Sequence, residues 1–297
     1  MHTRLCRRHQ ESGPAGAIRA FFGVRAFPVL DPAAGIQPYF GGFFGMLAVS
    51  DRKIQEAFSK AALRYDLFSG LHRQIGSRLV ARLEECDIDG WIVDVGMGTG
   101  WFTEQLKHAF GASPVAGIDI CWPMLKRSTV RRKEFQRVQA HAAALPFKEG
   151  SVGLITSNLA YQWVSDLLKA FAGCHGILAS GGKIMMTMFG RETFSEVFES
   201  LNHVNGAADL AIRRLASAEE VESALVSSGF GGVRVTSERM KMHFENMFAI
   251  LKWLKDIGGN ALPRKGYIGK QLLTKADKHY RQNYTEGREV FVSVEII

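Results

Sequence analysis

The chain has 297 residues, of which 46% are apolar and 22% charged, and its formal net charge is +8. This composition excludes a disordered or fibrous protein and is sufficient for one large domain with a full apolar core. The four cysteines form no C-x-x-C pair, which argues against a disulfide framework or a zinc site and favours a reducing compartment, the cytoplasm. No apolar stretch is long enough to cross a membrane.

Residues 1–49 differ from the rest of the chain. They contain four of the eight prolines, seven glycines and five arginines but no lysine, and they show no periodicity. A disordered extension, a targeting peptide and translated sequence upstream of the true start are the alternatives for such a segment. Met46 directly precedes the first patterned helix, which favours the third. We therefore expect one folded domain over residues 50–297.

Two amphipathic helices are predicted at the start of this domain. Apolar residues at spacings of three and four cover residues 54–65, with Ser50 as the N-cap, and a second helix covers residues 71–83. Helices that precede the first strand of a nucleotide-binding sheet can lie across its cleft, so residues 50–85 are expected to form part of a lid. The pattern alone favours the core over the cleft for Tyr65.

A glycine-rich turn follows the first predicted strand, residues 91–95. The strand ends at Gly96-Met97-Gly98-Thr99-Gly100, and an amphipathic helix begins directly afterwards. Such a turn lets a nucleotide-like ligand approach backbone N–H groups without interference from Cβ atoms. A dinucleotide fingerprint requires a third glycine at position 101, where this chain has Trp101. Asp94 followed by G-x-G-x-G instead resembles motif I of class I S-adenosylmethionine-dependent methyltransferases.

The following elements alternate between strands and helices. Strands are predicted at 114–118, 137–140, 152–156 and 183–188, and helices at 122–135 and 165–179. This alternation predicts an α/β fold with a mostly parallel, doubly wound sheet and the ligand at the carboxyl ends of the strands. The resemblance to motif I implies that this fold is of the Rossmann-like, class I methyltransferase type. Asp119 follows the second strand, where its carboxylate can accept both hydroxyls of a ribose.

A mostly helical insertion, residues 190–230, is predicted after the fifth strand and would complete the lid. It contains two S/T-x-x-E capping boxes, Thr193/Glu196 and Ser217/Glu220. A strand at 233–237, a helix through Leu251 and a final strand at 290–296 follow. With the last strand antiparallel at the edge, the sheet would have seven strands.

The segment Ser157-Asn158-Leu159-Ala160-Tyr161-Gln162-Trp163 lies at the ligand edge of the predicted sheet and is polar but uncharged. Asn158 and Gln162 can hydrogen-bond a ligand, whereas Tyr161 and Trp163 can either pack on it or close the sheet edge. Methyl transfer to a hydroxyl or amine usually requires a base, but a carboxylate acceptor is already ionised at pH 7. The segment has no obvious base, which favours a carboxylate acceptor.

Several separate stretches together resemble one family, the malonyl-acyl-carrier-protein O-methyltransferases of biotin synthesis. They are residues 57–62 with Tyr65, 94–101, 157–163, Gly182 with 189–196, and 251–258. The resemblance implies S-adenosyl-L-methionine as the methyl donor. It also implies that the acceptor is the free carboxylate of a malonyl group carried by acyl carrier protein.

The resemblance assigns roles to individual residues. For the acceptor, it implies that Arg214 pairs with the malonyl carboxylate and that Tyr65 and Phe189 line the pocket; Arg213 is the alternative to Arg214. For the donor, the expected binding residues are Asp94, Gly96, Gly98, Gly100, Asp119, His141, Ala142 and Asn158. His141 departs from the family, because relatives usually carry an aspartate there that accepts from the adenine amino group. In this chain the His141 imidazole or the Ala142 backbone could make that contact with adenine instead.

The charge distribution bears on partners. Acyl carrier proteins are acidic, so cations in two clusters, 126–133 and Lys252 with Lys255, could steer the carrier, although each also suits a plain solvated helix face. Malonyl-coenzyme A is the alternative acceptor. A nucleic-acid partner is disfavoured, because aromatic residues are not interleaved with the cations. We expect a monomer that binds no membrane.

Other functions stay open on the sequence alone. A methyltransferase that acts on a quinone ring or a fatty acid would have the same donor site, and a hydroxyl or carbon acceptor would need a base such as His141 or His175. A nucleotide-binding oxidoreductase is disfavoured by Trp101. A non-catalytic ligand sensor could also retain the glycine loop.

Overall fold

The computed structural model describes residues 49–128, 135–205, 215–260 and 269–297. All but the last residue of the predicted extension therefore lies outside this part of the chain. The helices are α1 (Asp51–Ala61), α2 (Tyr65–Phe68), α3 (Gly70–Leu83), α4 (Trp101–Ala109), α5 (Trp122–Arg127), α6 (Leu167–Ile177), α7 (Ser195–Asn205), α8 (Ala218–Ser227), α9 (Met247–Asp256) and α10 (Lys270–Asn283). The strands are β1 (Trp91–Val95), β2 (Val115–Asp119), β3 (Gln136–Gln139), β4 (Val152–Asn158), β5 (Leu178–Thr187), β6 (Glu238–Phe244), β7 (Thr285–Glu286) and β8 (Glu289–Ile296).

Five parallel strands form the main sheet, in the order β3-β2-β1-β4-β5. The apolar run of β1 is buried on both faces: Ile92 packs with Leu106 of α4, while Val93 packs with Phe171 of α6. Covered faces of this kind are typical of parallel sheets in doubly wound folds. Because the strand order reverses at β1, a crevice opens at the carboxyl ends of β1 and β4, where such folds bind ligands.

A second, antiparallel sheet continues from the first, with the order β6-β8-β7. The two sheets meet where Phe189 pairs with Ile296, and Met188 and Ile297 exchange N–H···O bonds of 2.9 Å in both directions. Apart from the two-residue β7, seven strands are thus described, but in two sheets rather than one. The last strand is antiparallel as predicted, yet it occupies the middle of its sheet and not an edge.

Two local predictions are wrong, and side-chain contacts explain why. Residues 233–237 form no strand; Val233 and Val235 pack against the apolar cluster around α6, and pairing begins only at Glu238. The Thr193/Glu196 capping box does not form, because both side chains bind the backbone of β8 instead.

The other capping box is confirmed. The Glu220 N–H donates to Ser217 Oγ over 3.4 Å, and the Glu220 carboxylate accepts from the Ser217 N–H over 3.0 Å. The helix predicted over 122–135 ends at Arg127 in the described residues, and residues 129–134 lie outside them.

The N-terminal helices lie beside the carboxyl ends of the main sheet. On α1, Ile54 is buried against Val49, and Phe58 meets Trp163 edge-on at 5.3 Å. The α3 helix packs into the core through a regular apolar stripe, which consists of Leu71, Ile75, Leu79 and Leu83. In the described residues no helix is both long and apolar enough to cross a membrane.

Candidate active site

The glycine loop between β1 and α4 is held by backbone bonds to β2. The N–H groups of Gly96 and Met97 donate to the Ile118 carbonyl over 2.7 and 2.9 Å. Gly96 has φ +81°, and a Cβ built on it would lie 2.1 Å from the Cβ of Ala160. Only glycine therefore allows the segment after β4 to approach the loop this closely.

Asp119 lies at the end of β2 and faces the glycine loop. Its two carboxylate oxygens accept from the N–H groups of Gly98, over 2.8 Å, and Cys121, over 2.7 Å. Burial raises the pKa of Asp119 to about 6, and these two bonds act in the opposite direction. Each oxygen keeps a second lone pair, so a diol can still be bound by the same carboxylate.

A cleft of about 800 Å³, part of it open to solvent, lies over the loop. One wall comes from the carboxyl ends of the strands, where the predicted donor residues found are Gly96, Gly98, Asp119, His141, Ala142 and Asn158. The opposite wall comes from the N-terminal helices, through Asp51, Ile54, Phe58 and Tyr65. These four residues all belong to the segment 50–85, which is predicted to form part of a lid.

Two of the predicted donor residues lie behind the loop and not in the cleft lining. Asp94 is buried, and Thr103 Oγ1 donates to its carboxylate over 2.5 Å. Gly100 precedes α4 with φ +93°, and a Cβ there would lie 2.6 Å from Ser128 Oγ. Both residues shape the loop from below.

A smaller cavity adjoins the cleft on the α3 side, between the loop and α2. Arg73 lines it, with its guanidinium carbon 5.8 Å from the centre of the Trp101 ring and one nitrogen 3.5 Å from Asp66. Arg73 Nε is buried and makes no hydrogen bond to the described part of the protein. An unpartnered guanidinium nitrogen in a cavity is suited to a carboxylate ligand.

His72 is the second polar residue of this cavity. Burial lowers the pKa of its imidazole to about 4, so the ring is neutral at pH 7. Its Nδ1 atom is buried without a partner among the described residues. The sequence analysis did not identify His72 or Arg73, because they stand between Leu71 and Ile75 of the apolar stripe of α3. The available signal was a charged residue directly beside that stripe.

Comparisons with known proteins identify the family. Residues 93–186, which run from β1 to β5, match the methyltransferase domain family. The malonyl-[acyl-carrier protein] O-methyltransferase of Hahella chejuensis is 31% identical over 241 residues, covering 79% of this chain and 85% of that protein. The protein of the same name from Gallionella capsiferriformans is 30% identical, covering 81% and 87%. The chain belongs to the malonyl-[acyl-carrier protein] O-methyltransferase family.

Solved structures agree on the fold. The YcgJ protein of Bacillus subtilis has a TM-score of 0.52 at 17% identity, and a putative methyltransferase of Bacillus halodurans has 0.53 at 15%; each match covers 74% of this chain and 96% of the other. At these identities the likeness is one of fold. The predicted family, the class I methyltransferase fold and the enzyme class, a methyltransferase, are thus confirmed.

Of the residues predicted for the acceptor side, Tyr65 and Phe189 lie in the described part of the chain. Tyr65 lines both cavities, contrary to the preference for the core that its pattern gave. Burial, together with the negative charges of Asp119 and Asp66, raises the pKa of Tyr65 well above its ordinary value, so its hydroxyl stays protonated. Phe189 is buried, with its ring 6.1 Å from that of His72. Arg214 and its alternative Arg213 lie outside the described residues.

The segment after β4 resolves the two interpretations given for its aromatic residues. Tyr161 is fully buried with its hydroxyl 3.0 Å from Cys174 Sγ, whereas Trp163 lines the cleft. Asn158 also lines the cleft, but its amide nitrogen donates to the His72 carbonyl over 2.8 Å and its amide oxygen accepts from Thr187 over 3.0 Å. The Asn158 side chain therefore connects α3 to the main sheet, and this connection does not depend on a ligand.

Proposed function

We propose that this chain transfers a methyl group from S-adenosyl-L-methionine to the free carboxylate of malonyl-acyl-carrier protein, in early biotin synthesis in the cytoplasm. The supporting observation is the cleft over the glycine loop, with Asp119 at one side and Arg73 at the other, in a chain of this family. We assign the activity to residues 50–297, acting as a monomer. Malonyl-coenzyme A is the alternative acceptor.

The residues around the two cavities fit the donor. Asp119 is placed to accept the ribose hydroxyls, and the free Nε of Arg73 can donate to the carboxylate of the methionine part. When bound, the donor supplies a methyl group on a positively charged sulfur. The loop backbone and the lid residues Phe58 and Tyr65 orient it and exclude water, which is the main task of the protein in an in-line displacement.

The acceptor side needs no base. Tyr65 keeps its proton, so it can donate a hydrogen bond to a carboxylate but cannot deprotonate an alcohol at pH 7. The ring of His72 lies 5.8 Å from that of Tyr65 and 6.1 Å from that of Phe189, but burial lowers its pKa to about 4, which makes it a weak base. A malonyl carboxylate is already ionised and requires only a cation to orient it. We propose Arg214 for that role, with Phe189 and Tyr65 as apolar and hydrogen-bonding neighbours.

The surface beside Tyr65 suits an acidic carrier protein. Leu63 and Leu67 are 73% and 77% exposed, which is unusual for two leucines so close together. Two cations lie near the adjacent Phe68: Arg64 and Lys252 are 5.2 and 5.3 Å from the centre of its ring, and both also pair with Asp256. An apolar patch with a positive rim next to the cleft supports docking of the carrier there.

The other predicted basic cluster has less support as a docking site. Lys126 lies 5.5 Å from the centre of the Trp122 ring, on the sheet side of the cleft. The cations at 131–133 lie outside the described residues.

A single assay tests the function. The protein is incubated with labelled S-adenosyl-L-methionine and, in parallel, with malonyl-acyl-carrier protein, acetyl-acyl-carrier protein, malonyl-coenzyme A or a quinol. We expect label on the malonyl carrier and none on the acetyl carrier, which lacks a free carboxylate. Label on the quinol alone would replace this function by the quinone-ring alternative.

A further inference from the structure

One end of the cleft is formed by a short segment after β3 and by the start of the lid helix α1. Ala140, His141 and Ala142 line the cleft on the sheet side, and Asp51, the first residue of α1, lines it on the lid side. Ile120, Cys121 and Met124 lie at the same end and make it mostly apolar. Since Asp119 takes the ribose in the proposed function, this end is where the base of the donor would lie.

The hydrogen bond of His141 fixes what its ring can do. The Ala143 N–H donates to Nδ1 over 3.0 Å, so Nδ1 serves as the acceptor nitrogen of the imidazole. The proton of the neutral ring is then on Nε2, which makes Nε2 a donor. Nε2 lies 3.4 Å from the Asp51 carboxylate. The sequence left open that the His141 imidazole accepts from the adenine amino group. With Nδ1 occupied and Nε2 a donor, it cannot do so.

The remaining groups match the edge of adenine. Asp51 supplies carboxylate oxygens that accept, and its side chain is 58% exposed, so it is accessible from the cleft. In the described residues the Ala142 N–H donates to no acceptor, and the residue Ala142 lines the same end of the cleft. Adenine presents a donor, the 6-amino group, next to an acceptor ring nitrogen, which is the complementary pattern.

We infer that Asp51, on the lid helix, accepts the hydrogen bond of the donor's 6-amino group, and that His141 is a positioning residue that holds the Asp51 carboxylate. This rests on the proposed function, because it takes the ligand to be S-adenosyl-L-methionine. The consequence is that adenine is recognised from both sides of the cleft: from the sheet through Ala142 and from the lid through Asp51. Recognition of adenine thereby requires α1 to be in place over the cleft.

Binding measurements with two ligands isolate this hydrogen bond. The ligands are S-adenosylhomocysteine and its 6-deamino purine analogue, and Kd is measured by calorimetry for the wild type and Asp51→Ala. We expect the wild type to prefer the adenine ligand about tenfold, as for one hydrogen bond to a charged group. Asp51→Ala should bind both ligands about equally, because only the adenine ligand loses a partner.

The matched control is Glu56→Gln, on the exposed face of the same helix, where Glu56 pairs with Arg52. It should keep the wild-type preference. Retention of the preference in Asp51→Ala would overturn the inference, and so would an equal loss of affinity for both ligands, which would indicate a role in folding of the lid. Failure of the proposed function differs: with the wrong donor the wild type would bind neither ligand, and with the wrong acceptor the binding preference would stand while the labelling assay with malonyl-acyl-carrier protein gave no product.

A rescue variant tests the hydrogen bond directly. His141→Asp moves a carboxylate to the sheet side of the same end, where it can replace the one that Asp51→Ala removes. We expect the double variant Asp51→Ala/His141→Asp to regain the preference for the 6-amino ligand. A double variant as unselective as Asp51→Ala would contradict the assignment of Asp51 as the acceptor.

Discussion

Arg73 is the residue on which donor affinity should depend most clearly. Its Nε is buried and unpartnered, and its guanidinium packs over Trp101. Arg73→Gln should weaken S-adenosylhomocysteine binding by about tenfold or more, since a hydrogen-bonded charge pair is worth about 1.5–3 kcal/mol. Calorimetry measures the change in Kd, and the KM for malonyl-acyl-carrier protein should be nearly unchanged.

Arg73→Lys serves as the matched control for this prediction. It keeps the positive charge but lacks the planar fork and the stacking on Trp101, so we expect an intermediate affinity. If the glutamine variant binds the donor as tightly as the wild type, the methionine carboxylate lies elsewhere.

Asp94 should make the stability of the ligand-free protein depend on pH. Burial raises its pKa from 3.8 to about 7, against the opposing effect of the Thr103 hydrogen bond. The folded state therefore binds the proton more tightly than the unfolded state, and this residue's contribution to stability decreases as the pH rises from about 4 to about 7. Asp94→Asn removes the titration.

The stability of Asp94→Asn relative to the wild type should therefore increase over the same pH range. Urea denaturation at a series of pH values gives the difference in the free energy of unfolding. A constant difference would mean that the buried carboxyl group does not titrate in this range.

At the scale of elements, the glycine loop combines an unusual backbone angle with a close contact. Gly96→Ala should be strongly destabilising, because the residue has φ +81° and its new Cβ would overlap with that of Ala160. Gly150→Ala is the matched control: Gly150 has φ +67° but no atom within 4 Å of a built Cβ. Gly150→Ala should lower the free energy of unfolding only by the cost of the left-handed backbone conformation, about 1–2 kcal/mol.

The difference between the two glycine variants therefore measures the clash. Ala160→Gly removes the opposing Cβ, so combining it with Gly96→Ala should recover part of the lost free energy of unfolding. If urea denaturation gave the same loss in the free energy of unfolding for Gly96→Ala and Gly150→Ala, the loop would accommodate the new Cβ without a further loss of stability.

Elements with a clear apolar period could be predicted from the sequence, whereas those fixed by distant contacts could not. The strand β1, the loop after it and the helix α3 were predicted because their patterns are local. The strand β6 was missed because its residues Glu238–Phe244 alternate with charged side chains and gain their partner only from β8. Thr193 fits a capping box locally, but its hydroxyl binds Glu295, which is 102 residues away.

The candidate site shows the same division. Gly96, Gly98 and Asp119 follow directly from motif and strand spacing, and the structure brings them to one cleft. Arg73 and Asp51 could not be assigned, because their relation to the loop depends on how the lid helices pack across the sheet. The departure from the family at His141 indicated that adenine recognition differs. Only the 3.0 Å hydrogen bond from the Ala143 N–H shows which ring nitrogen accepts and which carries the proton.

At the scale of the whole molecule, Glu295 joins the two sheets. Its carboxylate accepts from the Glu192 N–H over 2.9 Å and from Ser237 Oγ over 2.6 Å, and its backbone exchanges bonds with Thr193. The residue is 9% exposed, whereas Glu192 and Ser237 are exposed, so water can reach these two donors once the carboxylate is removed. The cost of removal is therefore that of two hydrogen bonds to a charged group at the edge of the core.

Glu295→Ala should therefore lower the free energy of unfolding by about 1–3 kcal/mol, whereas Glu295→Gln, which retains one acceptor oxygen, should lower it by less. The segment that Glu295 holds leads into the predicted acceptor lid, whereas the sheet side of the donor cleft is built on β1, β2 and β4. In the folded Gln variant we thus expect a higher KM for malonyl-acyl-carrier protein with an unchanged Kd for S-adenosylhomocysteine. Donor binding that weakened in parallel would show that the second sheet supports the whole site, and not its acceptor half alone.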